Sequence, residues 1–105
     1  MKTFVIENTW LPGMNHGWGN GYVIIPKGHA LHGKHYDEID VDVHGGLTFS
    51  EPAKECKEWH DLEKDDLDGW IVGFDTAHYS DNMANWSKAR VVRETKRLKN
   101  QLENL

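Results

Sequence analysis

The sequence predicts an α+β fold: a small, mostly antiparallel sheet of three or four strands packed against one long C-terminal helix. Two observations carry this. Short runs rich in β-branched and aromatic residues, bounded by glycine or proline, recur through the first three-quarters of the chain. From Asn85 or Ser87 to Leu105, the residues Val91, Thr95, Leu98, Leu102 and Leu105 then form an apolar seam at alternating spacings of four and three, down one side of a helix. At 105 residues the chain reads as a single domain, residues 1–105, with one modest core to which five Trp contribute.

Phe4-Val5-Ile6 reads as a short first strand. Asn15 to Gly21 reads as a flexible, glycine-rich turn, and Tyr22 to Ile25 as a β-branched strand stopped by Pro26. Gly28 to Tyr36 reads as a loop or a single helical turn. Val41 to Phe49 reads as the next strand, interrupted at His44-Gly45-Gly46, where glycine marks a bulge or the close approach of a ligand. Ser50-Glu51-Pro52 resets the chain, and Lys54 to Trp59 reads as a short helix with Ser50 as its N-cap. Gly69 to Asp75 carries Ile71, Val72 and Phe74 and is apolar on both faces, which places it centrally in the sheet. The helical seam has two readings, packing on its own sheet or pairing across a homodimer or higher homo-oligomer. Its heptad spacing is too short to establish a coiled coil.

Composition narrows the function classes. With 38% apolar and 28% charged residues this is an ordinary soluble composition. No apolar run approaches the ~20 residues that span a bilayer, so no membrane partner is expected. Met1 to Glu7 lacks a signal-peptide pattern. The single Cys56 excludes an internal disulfide and fits a reducing compartment. The net charge of −5 argues against duplex nucleic acid as a partner. Half of the twelve Lys and Arg nevertheless lie between Lys88 and Lys99, either as a solvated helix face or as an attraction for a phosphate-bearing ligand. Seven His are unusual for this length and raise the prospect of acid–base chemistry or metal binding.

Two motifs concentrate that chemistry. His44-Gly45-Gly46-Leu47-Thr48 follows Val41-Asp42-Val43, and Gly73-Phe74-Asp75-Thr76-Ala77-His78-Tyr79-Ser80-Asp81 contains the end of the central strand. Residues after strand ends are well placed to assemble a site. Asp75, His78 and Asp81 recur every three residues and would point the same way on a tight helical turn. With His44 they are a ligand set for Zn²⁺ or Mn²⁺, equally a set for general acid–base work, or a network of structural hydrogen bonds. No metal is assigned, and a divalent cation is allowed but not required. His44 and His78 are the candidate base and acid, with Asp75 orienting an imidazole. Gly45 and Gly46 offer backbone N–H groups to an anion, and Thr48 a hydroxyl. His29, Lys34, Tyr36, Asp81 and Arg90 complete the candidate ligand-binding set. Trp10, Trp18 and Tyr36 are loop aromatics that serve as lids or as stacking faces for a base.

The run GYVIIPKGHALHGKHYDEIDVDVHGGLTFS, then GWIVGFDTAHYSD and a helix with VVRETKRLKNQL, resembles a family of small uncharacterised proteins encoded by bacteriophages and prophages. The likeness runs from about Gly21 to Leu102, on the elements GYV…P…H, VHGGLT and GFD…H…D. Ser80 stands where the family commonly carries glycine before the last Asp. The resemblance implies a phage product working in the cytoplasm of its bacterial host. Small phage proteins often counter host defences, several of which signal through modified or cyclic nucleotides. The expectation is hydrolysis of a phosphodiester in such a nucleotide. Its rivals are a sponge that sequesters the same ligand without chemistry, and an inhibitor that binds a host protein.

Overall fold

The computed structural model describes residues 1–9 and 16–105, so Trp10 and Asn15 lie outside the described residues. Four strands, β1 (Lys2–Glu7), β2 (Gly19–Ile25), β3 (Phe49–Pro52) and β4 (Trp70–Phe74), form one sheet in the order β1-β2-β4-β3. Every pairing is antiparallel. One helix, α1 (Lys88–Glu103), follows. The chain is thus the expected α+β arrangement, with β4 internal as its two apolar faces required.

Register divides the sheet into two faces. Tyr22 pairs with Gly73, Val23 with Val72, and Ile24 with Ile71. Side chains alternate along a strand, so Val23, Ile25, Val72 and Phe74 share one face and Tyr22, Ile24 and Ile71 the other. The first face is covered by α1, which packs on β2 and β1. Val91, Leu98 and Leu102 are fully buried there. Thr95 completes the seam, its hydroxyl donating to the Val91 carbonyl at 2.7 Å. The seam is therefore spent on its own sheet, and Leu105 lies beyond it, 54% exposed. Ser87 caps the helix, its hydroxyl accepting from the Arg90 N–H. Gly21 faces Thr95 so closely that a Cβ would collide with the Thr95 hydroxyl and the Phe74 ring.

The second face carries a layer that the sequence reading lacked. Phe4, Tyr22, Phe49 and Trp59 form an aromatic cluster, with Tyr22 5.0 Å from Trp59 and 5.2 Å from Phe4 between ring centroids. Ala53, Cys56 and Leu62 close over it. The segment that supplies them is not the expected helix from Lys54 to Trp59. It makes a 3₁₀ turn at Ala53–Cys56, with Pro52 rather than a side-chain cap before it, and another at Lys64–Asp66. The Ser50 hydroxyl instead accepts from the Tyr36 N–H.

The expected strand from Val41 to Phe49 is also corrected. Pairing begins only at Phe49. Gly45 and Gly46 both adopt positive φ, +70° and +78°, and the Gly46 N–H closes a turn on the Val43 carbonyl at 2.8 Å. Two successive left-handed residues cannot continue an extended run. Val43 and Ile39 are buried in the core beneath α1 instead of pairing in the sheet. Antiparallel pairing brings the end of β4, the start of β2 and the start of β3 to one end of the sheet. Among the described residues no helix is long and apolar enough to cross a membrane.

Candidate functional site

The site forms at that end, where the turn after β4 meets the glycine turn before β3. Thr76 fixes the first of these turns. It is fully buried, and its hydroxyl donates to the Gly19 carbonyl at 2.6 Å. The chain then turns back so that Asp81, only 3% exposed, lies beneath His78. No non-glycine residue among those described has positive φ, so Ser80 stands in this turn without strain.

Asp81 gathers both imidazoles. Its Oδ2 accepts from the His78 N–H at 3.0 Å and lies 2.7 Å from His78 Nδ1. Its Oδ1 lies 2.9 Å from His44 Nε2. Burial pushes the Asp81 carboxyl up, but the His78 N–H and the two rings outweigh it and hold it below its ordinary value. An ionised carboxylate only accepts, so the shared protons sit on His44 Nε2 and His78 Nδ1. The orienting role expected of Asp75 is therefore shared with Asp81. Asp75 is 34% exposed, and its Oδ1 accepts from the Ala77 N–H and lies 3.4 Å from the other His78 nitrogen, Nε2. His78 is thus bracketed by two carboxylates, Asp81 at Nδ1 and Asp75 at Nε2.

His44 is held from behind. Its ring stacks on Trp86 at 4.0 Å and meets His78 edge-on at 5.0 Å. Its N–H donates to Glu94 Oε2 at 2.8 Å. The Arg97 guanidinium holds the Glu94 carboxyl below its usual value, against burial and with help from that N–H. Gly45 lies against the His78 ring so closely that a Cβ would strike Cε1 and Nε2. Positive φ and contact with the imidazole both demand glycine there.

Beside this cluster lies a cleft of about 490 Å³. Asn20, Tyr22, Thr48, Phe49, Asp75 and His78 are among its walls. Burial, working against the neighbouring Asn20 amide, pushes the Tyr22 phenol up, so it stays neutral. The Asn20 side-chain oxygen is buried without a hydrogen-bond partner in the described structure.

The sequence-predicted residues divide accordingly. His44, His78, Asp81, Asp75, Gly45 and Thr48 come together at this end of the sheet. His29 and Lys34 do not. Both follow β2, whose last residue pairs with Trp70, and the Trp70 indole donates to the Lys34 carbonyl at 2.7 Å. That is the opposite end of the sheet. The His29 ring accepts locally from the Leu31 N–H, and the nearest acid to the Lys34 ammonium is Glu38 at 4.0 Å. Tyr36 opens a 3₁₀ turn over Ser50, midway along β3. Gly46 cannot offer its N–H to an anion, because the Val43 carbonyl has it. Arg90 lies over the Trp86 ring at 4.2 Å and donates to the Asn85 carbonyl. Trp18 carries the Lys88 ammonium over its ring at 5.3 Å.

Two contributors escaped the sequence reading, Trp86 and Glu94. Trp86 directly precedes the cap Ser87 and shares a core cluster with Val91, four residues beyond that cap. An apolar pair around a helix cap is a recognisable staple signal. Glu94 lies one residue before seam position Thr95 and had no comparable mark. Comparison with protein-family models, curated proteins and solved structures finds no match for this chain.

Proposed function

We propose that the protein hydrolyses a phosphodiester bond in a small phosphorylated nucleotide, cyclic or linear, that serves as a defence signal, acting as a phage product in the host bacterial cytoplasm. The setting rests on the sequence resemblance. The chemistry rests on one observation, the anchoring of two imidazoles on the single buried carboxylate of Asp81, one of them, His78, in the wall of a cleft. In this reading water attacks phosphorus and gives up a proton to one imidazole. The P–O ester bond breaks, and the departing oxygen takes a proton from the other. Asp81 holds both rings in place throughout. The cleft volume suits a small ligand. Tyr22 and Phe49 offer aromatic surface to a base, and Asn20 and Thr48 offer polar contacts to its edge.

A sponge that binds the nucleotide without cleaving it uses the same cleft and is favoured by those aromatic walls. An inhibitor of a host protein, or self-association, would use the outer side of α1, where Lys88, Arg90, Arg93, Lys96 and Arg97 are exposed. Its apolar side is already committed to the sheet. Incubation with a panel of cyclic and linear nucleotides, followed by chromatography, separates these readings. New products support hydrolysis. Intact nucleotide released on denaturing the protein supports the sponge. Failure to bind any of the panel overturns both.

A further inference from the structure

We propose that His44, His78 and Asp81 form a mononuclear site for a first-row divalent cation of the Zn²⁺ class, with His44 binding through Nε2, His78 through Nδ1 and Asp81 through one carboxylate oxygen. Each of the three residues offers one ligand atom within 4.8 Å of those of the other two, and the single oxygen Asp81 Oδ2 lies 3.1 Å from His44 Nε2 and 2.7 Å from His78 Nδ1. Ligand atoms about 2.0–2.2 Å from a tetrahedral metal stand a little over 3 Å apart. Conversion from proton-bridged to metal-bridged therefore needs only small outward shifts. Two imidazole nitrogens and one carboxylate oxygen, with a position left for water, are the donor set of catalytic zinc sites. Imidazole donors disfavour Mg²⁺ and Ca²⁺, which take oxygen ligands.

A second observation supports the same assignment. A metal-bound histidine donates its remaining ring N–H to a carboxylate, which fixes the ring and raises its basicity. His78 already has Asp75 Oδ1 3.4 Å from Nε2, the nitrogen opposite the proposed ligand atom. With the metal at Nδ1 the neutral ring carries its one proton at Nε2 instead, directed at Asp75. Asp75 is then a positioning residue. The stack of His44 on Trp86 and the Glu94 contact to the His44 N–H hold the second imidazole. His44 and His78 are 25% and 35% exposed, so water can reach a bound cation. The cation also answers a charge problem. Neither expected phosphate holder lines the cleft: Lys34 is at the far end of the sheet, and Arg90 lies over Trp86 and donates to the Asn85 carbonyl.

Binding stands on the cluster alone. Only the cation's catalytic use rests on the hydrolytic reading above, and with both imidazoles as ligands a cation-bound water, not a ring, would supply the attacking oxygen. Isothermal titration of the metal-stripped protein with Zn²⁺ tests it, beside a thermal melt with and without Zn²⁺. The expected result is one Zn²⁺ per chain and a higher melting temperature with metal. His44→Ala and His78→Ala should lose stoichiometric binding. Asp75→Asn, altered at a third-exposed side chain, should still bind one Zn²⁺ but about 10–100-fold more weakly. Absence of stoichiometric binding by the wild type overturns the proposal, as does unchanged binding in both His variants. Mg²⁺ binding as tight as Zn²⁺ also overturns it. Zn²⁺ binding without nucleotide turnover would retain the site and reject the hydrolytic reading. Turnover by protein that binds no Zn²⁺ would do the reverse.

Discussion

Replacing Asp81 by alanine should destabilise the fold and abolish function together. The carboxylate is 3% exposed and accepts from one backbone N–H and two imidazoles. Hydrogen bonds to a charged group contribute about 1.5–3 kcal/mol each, and a donor left unpaired in the interior costs about 1–3 kcal/mol. The two rings are a quarter and a third exposed, so water can recover much of what they lose. The dominant loss is the His78 N–H, with a fraction from each ring, for a total of about 2–4 kcal/mol. For a domain of this size that is a drop of about 10–25 °C in melting temperature. Differential scanning calorimetry of wild type and Asp81→Ala in metal-free buffer measures it directly. Asp75→Ala is the internal contrast. Asp75 is a third exposed and its Ala77 donor is at the surface, so its loss should stay within about 0.5 kcal/mol. A melting temperature for Asp81→Ala within 2–3 °C of wild type (about 0.5 kcal/mol) would refute the claim that Asp81 organises this end of the sheet. So would a larger loss in Asp75→Ala.

Leu98→Ala, at a fully buried seam position, should cost about 2–5 kcal/mol, and a denaturant midpoint equal to wild type would sink the packing described for α1. Gly45→Ala should cost about 1–2 kcal/mol for the left-handed backbone and also push the His78 ring aside, so binding or turnover should fall further than stability. An active Gly45→Ala would contradict the contact. Burial pushes the Asp66 carboxyl up, but Lys2 at 2.7 Å and the Glu63 N–H hold it below its ordinary value. Its folded value lies beneath the unfolded value of about 3.9, so the pair stabilises fully above about pH 4 and is lost as pH falls further. The stability gap between wild type and Lys2→Met should accordingly narrow between pH 6 and pH 2.5. A gap independent of pH would contradict the assignment.

Much of the fold was legible because it depends on periodicity. The seam of α1 and the runs that became β1, β2 and β4 lie where their spacing and β-branching put them. β3 was misplaced because the alternating Val41-Asp42-Val43-His44 ending in glycines resembles a bulged strand until two positive φ angles break it. The second layer was missed although a signal existed. Ala53, Cys56, Trp59 and Leu62 recur every three residues, the period of 3₁₀ turns, and all pack on one cluster. A central strand apolar on both faces also requires cover on both faces, and the helix covers only one. At the site, the convergence of His44 and His78 could be read from their places after strand-like runs. The primacy of Asp81 over Asp75 could not, because it depends on burial created by the turn through Thr76. His29 and Lys34 were grouped with the site by residue type, yet strand direction sends them to the other end. Proximity along the chain carries no information about which end of an antiparallel sheet a loop will occupy.

The central claim is that the Asp81-anchored imidazoles act on a ligand. It is tested most directly by chromatographic analysis of cyclic and linear nucleotides incubated with wild type and with His78→Ala, at matched concentrations of protein verified as folded by calorimetry. The ring of His78 is a third exposed, so its removal should leave a folded chain. The account predicts conversion of at least one nucleotide by wild type and none by His78→Ala. Equal conversion by the two proteins would contradict it.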